Sequence, residues 1–494
     1  MNKIEKESIK KIGKGAIIVL VGYILAKLLI LARTTLFARG LGAADYGVFS
    51  MALTITTLAS ILCLFGLSQG IVHFIAKTKS HSKIKQAVNY ASKFVFVSSL
   101  AVGLLLVLLR NQIALFFKMP ELSWIIILFA LALPFVSLFE MGIAVFEGFS
   151  SMKYRTMLKD FLSNALMVLF ALVLLFCGFS LLGSSIAFLA SSVIVFCIIF
   201  YLVISKVNFF KSVKDSELAK KMFSFSWPIM LSSFIYVLLN RIDILFIGHF
   251  LDSSTVAKYS VASDLSHLII ILNAVILPIF FPIMSSLISK GKVKEAGTVF
   301  RKITKFLTIF TLPALLIFVL FPEKIIFYIF GQEYAGGGIF LLVLSFASFF
   351  ACVSGPINML LKSMNKPKLV LFNSLAALLI NLVLNYILII KMGAIGVAIA
   401  TVVSIFAQNY LGIAQLWLLK KIRPYDWNVL RPVLFTILIG FGAYCLKRIL
   451  PDSLFYNIVL AFALLAVYGI YLLIDRKLIN LGFYIKMAKG IMLK

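Results

Sequence analysis

The chain has 494 residues, of which 62% are hydrophobic and 13% are charged, and its formal net charge is +29. Its mean hydropathy of +1.09 excludes a water-soluble globular protein and indicates a polytopic membrane protein. The positive charge does not indicate nucleic-acid binding. Lys and Arg occur mainly in short clusters between apolar runs of roughly 20 residues, the length of a membrane-spanning helix.

The apolar runs, taken in chain order, predict an all-α protein with about fourteen membrane-spanning helices. The predicted spans are 13–38, 46–74, 87–109, 122–146, 157–178, 181–205, 223–250, 256–286, 303–321, 337–361, 369–390, 394–419, 430–446 and 454–474. A cytoplasmic N-terminus places most of the 47 Lys and Arg residues on the cytoplasmic side. The positive-inside rule therefore predicts a multi-pass protein of the cell membrane with both termini in the cytoplasm.

The sequence repeats itself with an offset of about 209 to 213 residues, so that Tyr46 matches Tyr259 and Gly183 matches Gly396. Each copy contains six spans, an even number, so both copies begin on the same side and form a parallel repeat. This predicts two pseudo-symmetric six-helix lobes around a central cavity, followed by a helix pair that has no repeat partner. The predicted domains are an N-lobe at 1–210, a C-lobe at 211–425, and the C-terminal helix pair with its basic tail at 426–494.

Three cations inside the predicted spans are the first candidate site residues. Lys27 lies near the middle of span one, and Arg33 lies six residues, or roughly 9 Å, nearer the outer face. Arg241 in span seven aligns with Arg33 within one residue. Two guanidiniums at one depth of repeat-related helices suit a diphosphate, because Arg presents a planar fork of donors. The alternative is that both guanidiniums snorkel to the outer headgroups.

Three acidic residues also lie at membrane depth, namely Glu140 in span four, Asp243 in span seven and Asp264 in span eight. Each either binds H+ or Na+ and couples transport to an ion gradient, or serves as the counter-ion of a cation. We favour the counter-ion role for Asp243, because Arg241 and Lys27 are candidate partners. The sequence predicts no other cofactor and no metal site, since it has no His or Cys cluster with metal-ligand spacing.

Two amides share one face of span eleven, where Asn381 and Asn385 are four residues apart. Such amides either contact the hydroxyl groups of a sugar or form hydrogen bonds between neighbouring helices.

The segment Ala-Arg-Gly-Leu-Gly-Ala-Ala-Asp-Tyr-Gly-Val-Phe-Ser at 38–50 follows the first span. It resembles the opening signature of polysaccharide-exporter flippases, which belong to the multidrug, oligosaccharidyl-lipid and polysaccharide exporter superfamily. The resemblance implies a V-shaped core of twelve helices that moves lipid-linked oligosaccharide to the outer leaflet. It also implies that the terminal helix pair is similar to that of fourteen-span members, including lipid II flippases, in which the added helices form a groove for the lipid tail.

These observations together predict a flippase for the cell envelope, which moves a lipid-diphosphate-linked oligosaccharide from the cytoplasmic to the outer leaflet by alternating access. Lys27, Arg33 and Arg241 would neutralise the diphosphate, and Asn381 and Asn385 would meet the glycan. The expected partners are polyprenyl-diphosphate-linked oligosaccharide, membrane lipids and glycan-assembly enzymes. One alternative is a cation-coupled multidrug exporter of the same superfamily, which favours a carboxylate-lined cleft. Another is a membrane-embedded glycan polymerase or ligase, although the short outer connections and the lack of a P-loop speak against an enzyme.

Overall fold

The structure is a computed structural model in which two compact units are distinguished. It describes residues 3–78, 80–151, 153–207, 216–354, 356–423, 425, 427–449, 451 and 453–474, without the side chains of 3–21, 23, 24, 216, 219, 274, 275, 278, 279 and 428. The first unit is Val21–Val261, and the second is Ala262–Lys494 together with Met1–Leu20. The predicted boundary near 210 and the basic C-terminal tail lie outside the described residues. All regular structure in the described part is helical, as the sequence predicts.

The first unit is a bundle whose helices follow the apolar runs of the sequence. They are α1 (Lys3–Leu64), α2 (Leu67–Lys77), α3 (His81–Leu108), α4 (Arg110–Phe116), α5 (Leu122–Gly148), α6 (Ser163–Phe176), α7 (Leu181–Val207), α8 (Ser216–Phe250) and the start of α9 (Ser253–Ser266). Residues such as Ile71, Val88, Phe146 and Ile199 form its buried core, where α2, α3, α5 and α7 meet.

The long helix α1 contains the first predicted span and most of the second, which continues into α2. Its apolar part, Leu25–Leu64, has 40 residues. A straight helix of that length measures about 60 Å, twice the roughly 30 Å of a bilayer core, so it cannot be one crossing. The helix breaks at Gly42, whose φ of 77° is a value that glycine adopts without steric cost. The described residues form thirteen candidate spans when α1 is counted once, which agrees with the predicted total of about fourteen.

The second unit contains the remaining helices. After α9 these are α10 (Ile271–Ser289), α11 (Val293–Leu320), α12 (Pro322–Phe330), α13 (Gly338–Ser354), α14 (Pro356–Ser363), α15 (Pro367–Met392), α16 (Ala394–Lys420), α17 (Trp427–Ile449) and α18 (Leu454–Ile474). A 3₁₀ turn at His267–Ile270 divides predicted span eight into α9 and α10. Phe280, Phe300, Leu360 and Leu416 belong to the buried core of this unit.

The internal repeat is visible in the backbone as well as in the sequence. The short helices α4 and α12 occupy equivalent places, each following the third span of its copy. Residues with positive φ recur in pairs at the corresponding turns. These pairs are Lys118 and Gly331, Ser150 and Asn365, and Gly178 and Gly393. The repeat therefore preserves the turns that connect the helices, even where the residue type has changed.

Candidate functional site

A π-helix at Arg155–Leu162 forms the beginning of predicted span five and continues into α6. π-Helical turns are rare in proteins. Those that interrupt an α-helix are often found at functional sites, because they change the direction in which side chains point. This segment carries Arg155, Lys159 and Asp160. It is the centre of a charged cluster in the first unit.

Two ion pairs connect the π-helix to α5. The Lys159 ammonium lies 2.6 Å from a carboxylate oxygen of Glu140, and their side chains are 35% and 27% exposed. The Arg155 guanidinium lies 2.7 Å from a carboxylate oxygen of Glu147. Glu140 is therefore the counter-ion of Lys159 in this structure, and a role for Glu140 in ion coupling remains a prediction.

Lys27 joins the same cluster from α1. Its side chain is half-buried, and its charge interacts with the carboxylate of Asp160. Asp160 also interacts with Arg155, Lys159 and Glu140, so its charged neighbours are three cations and one acid. Such a network lowers the cost of holding fixed charges within a membrane helix bundle.

Arg33 is held by a neutral partner on α6. One guanidinium nitrogen of Arg33 donates a hydrogen bond of 2.8 Å to the side-chain oxygen of Asn164 and lies 3.7 Å from the sulfur of Met167. The amide nitrogen of Asn164 in turn donates to the backbone oxygen of Asp160 at 2.9 Å. Because Asn164 is uncharged, this bond orients the guanidinium of Arg33 without neutralising it.

On α8, the predicted pair of Arg241 and Asp243 does not form an ion pair. Residues two apart on a helix point in different directions, so their side chains do not face each other. Asp243 is buried and accepts a hydrogen bond of 2.6 Å from the hydroxyl of Tyr259 on α9. Arg241 is half-buried, and none of the described acidic side chains lies within ion-pair distance of it.

The remaining predicted site residues lie in the second unit. Asp264 is half-buried on α9. Asn381 and Asn385 are 1% and 0% exposed, and the amide of Asn385 donates to the side-chain oxygen of Asn381 at 2.9 Å. This bond confirms that the two residues share a face of α15. Since both amides are buried in this structure, a contact with sugar hydroxyls would require another conformation and remains a prediction.

Sequence reasoning missed part of the charged cluster. Lys159 and Asp160 lie within predicted span five, and opposite charges next to each other at membrane depth were the available signal. A second missed contact is the reciprocal pair of Asn373 on α15 and Gln415 on α16, with amide bonds of 2.9 and 2.7 Å. Among the residues whose structure is described, no three His, Cys, Asp or Glu side chains are grouped to hold a metal ion.

Comparison with known proteins finds relatives of this chain. It is similar to an uncharacterized membrane protein of Methanocaldococcus jannaschii, with 24% identity over 96% of this chain and 97% of that protein. It is also similar to the probable low-salt glycan biosynthesis flippase Agl15 of Haloferax volcanii, with 27% identity over 39% of this chain and 40% of that protein.

Among solved structures, the chain is similar to the lipid II flippase MurJ in an inward closed conformation. The TM-score is 0.79 at 17% identity, over 94% of this chain and all of that chain. At this identity the likeness shows the fold, which confirms the all-helical, two-lobed architecture predicted from the sequence. A family model described as polysaccharide biosynthesis protein matches residues 36–337, beginning within the signature segment that carried the resemblance. Because this match covers more than half of the chain, the multi-pass membrane protein belongs to the polysaccharide biosynthesis protein family.

Proposed function

We propose that this protein is a flippase that moves a polyprenyl-diphosphate-linked oligosaccharide from the cytoplasmic to the outer leaflet by alternating access. The family, the flippase-like fold and a relative named as a glycan biosynthesis flippase support transport of a lipid-linked glycan. The diphosphate and the direction of movement rest on the charges of the chain and on their distribution. Glycan-assembly enzymes would supply the substrate on the cytoplasmic side.

The observation that carries the proposal is the burial of Arg33 and Arg241 within the membrane-spanning helices and the kind of partner that each has. Both are half-buried guanidiniums within membrane-spanning helices, where a fixed charge is costly. Arg33 is oriented by a neutral amide, and Arg241 has no acid at ion-pair distance among the described residues. A diphosphate offers anionic acceptors that a guanidinium can bind in bidentate fashion. Lys27 would add a third cation, although its charge is partly balanced by Asp160.

Reconstituted vesicles that contain a fluorescent lipid-diphosphate sugar test this proposal. We expect Arg33→Ala and Arg241→Ala each to lower translocation about tenfold or more, because a hydrogen bond to a charged group contributes roughly 1.5–3 kcal/mol. Lys27→Ala should have a smaller effect, since Asp160 already interacts with this cation. The translocation rate of Arg33→Lys should lie between those of Arg33→Ala and the wild type, because lysine keeps the charge and loses the fork of donors.

The matched control is Lys221→Ala, which removes a cation from an exposed ion pair with Glu217 on the same helix as Arg241. Such surface pairs contribute little, so this variant should translocate at the wild-type rate. Unchanged translocation in Arg33→Ala, Arg241→Ala and Lys27→Ala together would remove the diphosphate-binding role.

The proposed orientation, with both termini in the cytoplasm, makes a separate prediction. In a background without the native cysteines, Lys118→Cys should react with a membrane-impermeant maleimide added to intact cells, because the turn after α4 would be outside. Lys290→Cys, in the turn after α10, should react only after the cells are permeabilised. Both positions are exposed, so accessibility of the side chain itself is matched. The reverse labelling pattern would overturn the orientation and with it the direction of export.

A coupling ion, H+ or Na+, is proposed to act at Asp243, Glu140 or Asp264. In the structure Asp243 accepts a hydrogen bond from Tyr259, and Glu140 accepts one from Lys159. Uptake of either ion would therefore compete with an existing protein donor. Initial rates of translocation measured with and without an imposed H+ or Na+ gradient would identify the ion.

A further inference from the structure

The first unit has an open groove between α1 and α6 that the proposed diphosphate site does not use. Its volume is about 940 Å³. One wall is formed by Leu28, Ala32, Leu36 and Arg39 on α1, and the other by Leu172 and Phe176 near the end of α6. The residues of the wall on α1 are three or four positions apart, so they lie on one face of the helix.

The groove has the dimensions and the polarity of a site for a lipid chain. From Leu28 to Arg39 it extends about 17 Å along α1, more than half of the roughly 30 Å hydrocarbon thickness. Its inner part is aliphatic and aromatic. Arg39 lies at one end, three residues before the break at Gly42, and Ser180 in the turn after α6 lies at the same end. The cation therefore sits where α1 reaches the membrane face, and the apolar walls run inward from it.

We propose that this groove binds the polyprenyl phosphate part of the lipid carrier, with the phosphate at Arg39 and the hydrocarbon chain between α1 and α6. An anionic phosphate attached to a long apolar chain complements a groove with one exposed guanidinium at its mouth and apolar walls below it. Among the described residues, α1 and α6 supply the walls and leave a furrow for one hydrocarbon chain, whereas a phospholipid carries two. The inference rests on the proposed function for the identity of the carrier.

The position on α1 also connects this site to the proposed transport path. Arg33 lies six residues before Arg39, or roughly 9 Å along the helix axis. Arg33 contacts Asn164 and Met167 on α6, the helix that forms the opposite wall of the groove. The two cations thus lie at successive depths of one helix, with Arg39 nearer the membrane face.

Photo-cross-linking tests the site in purified full-length protein held in phosphatidylcholine nanodiscs. The probe is a polyprenyl monophosphate with a diazirine on its chain, and labelled peptides are mapped by mass spectrometry. We expect labels on the two walls of the groove. Arg39→Gln should raise about tenfold the concentration of unlabelled polyprenyl phosphate that halves the labelling, because a charge-assisted contact is lost. Ala32→Trp should abolish the labelling, since Ala32 is an exposed wall residue and the indole would fill the groove.

Two control variants match these changes outside the groove. Arg110→Gln removes a cation at the start of α4, and Leu169→Trp adds an indole at a position on α6 that is 54% exposed. Both should label as the wild type does. Labelling that is unchanged in Arg39→Gln and equal for polyprenol without phosphate would overturn the phosphate contact. Competition by phosphatidylglycerol equal to that by polyprenyl phosphate would overturn the carrier as occupant and indicate a general anionic-lipid site.

The same proteins separate this inference from the proposed function. Arg33→Ala and Arg241→Ala should translocate slowly and still label in the groove. If these two variants translocate at the wild-type rate while the groove is labelled, the diphosphate-binding role is contradicted and lipid binding in the groove is supported. If the two variants translocate slowly and the wild-type groove is not labelled, lipid binding in the groove is contradicted and the diphosphate-binding role is kept.

Discussion

Oxidation of a Gly70→Cys/Ser226→Cys double variant is expected to stop translocation, and reduction of the same protein is expected to restore it. Gly70 lies on α2 in the predicted N-lobe, and Ser226 lies on α8, the first helix of the predicted C-lobe. A Cβ atom placed on Gly70 would lie 3.8 Å from the Cβ atom of Ser226. That separation is about the mean for disulfides, so the bond can form without moving either helix.

The two helices meet along a close seam near this pair. A Cβ atom on Gly70 would also contact the hydroxyl oxygen of Ser226, which is fully buried. The ring of His73 on α2 lies 4.5 Å from that of Phe225 on α8, and the ring of Phe94 on the neighbouring α3 lies 4.7 Å from that of Phe223 on α8. Small residues at such seams let helices approach closely, and they also let the contact separate without breaking strong polar bonds.

Alternating access requires α2 and α8 to separate if the lobes meet at the predicted boundary near 210. The cross-link would hold them together. The assay needs a background without native cysteines, the two single variants, and mass spectrometry of the linked peptides. Transport that continues at the wild-type rate with the link fully formed would contradict the expectation. In that case α8 would move together with α2, in agreement with their place in one compact unit.

Among substitutions that add a single methyl group, Gly47→Ala should lower the stability of the protein the most. A Cβ atom on Gly47 would overlap the backbone carbonyl oxygen of Ser253 and would lie 3.0 Å from its Cα atom. A backbone group cannot rotate away as a side chain does. We expect the free energy of unfolding to fall by about 1–3 kcal/mol or more, the usual cost of overpacking.

The control is Gly469→Ala on α18, where an added Cβ atom would have no neighbour within 4 Å. Thermal unfolding in detergent, followed by fluorescence-detected size exclusion, compares the two variants directly. Equal midpoints for Gly47→Ala and the wild type would show that α1 and α9 can separate at no cost. Gly47 belongs to the signature segment at 38–50, so this close approach gives a physical reason for a glycine there.

Hydropathy was enough to predict the helices but not their partners. The prediction of a span at 454–474 coincides with α18, and that of 122–146 differs from α5 only at its end. The length of an apolar run is a property of the sequence alone. The bond between Arg33 and Asn164 depends on α1 and α6 being neighbours, and no residue pattern along the chain encodes that.

Side-chain direction explains the other differences. The π-helix at Arg155–Leu162 could not be predicted, because one changed turn leaves the hydropathy of the segment the same. The interpretation of Asp243 as a counter-ion considered only charged neighbours. The structure gives it a hydroxyl donor, Tyr259, which a search for opposite charges does not find.

The paired left-handed turns have a consequence for how the two halves came to differ. Gly178 and Gly393 occupy matching corners, yet α6 before the first corner carries Asn164 beside the charged cluster, whereas α15 before the second carries the neutral pair of Asn381 and Asn385. A duplicated ancestor would give both halves the same corners, because a changed corner misdirects the helix that follows it. Buried polar groups carry no such constraint as long as each has a partner. At this helix one half thus carries a charged cluster and its twin a neutral amide pair, while the corners stayed the same.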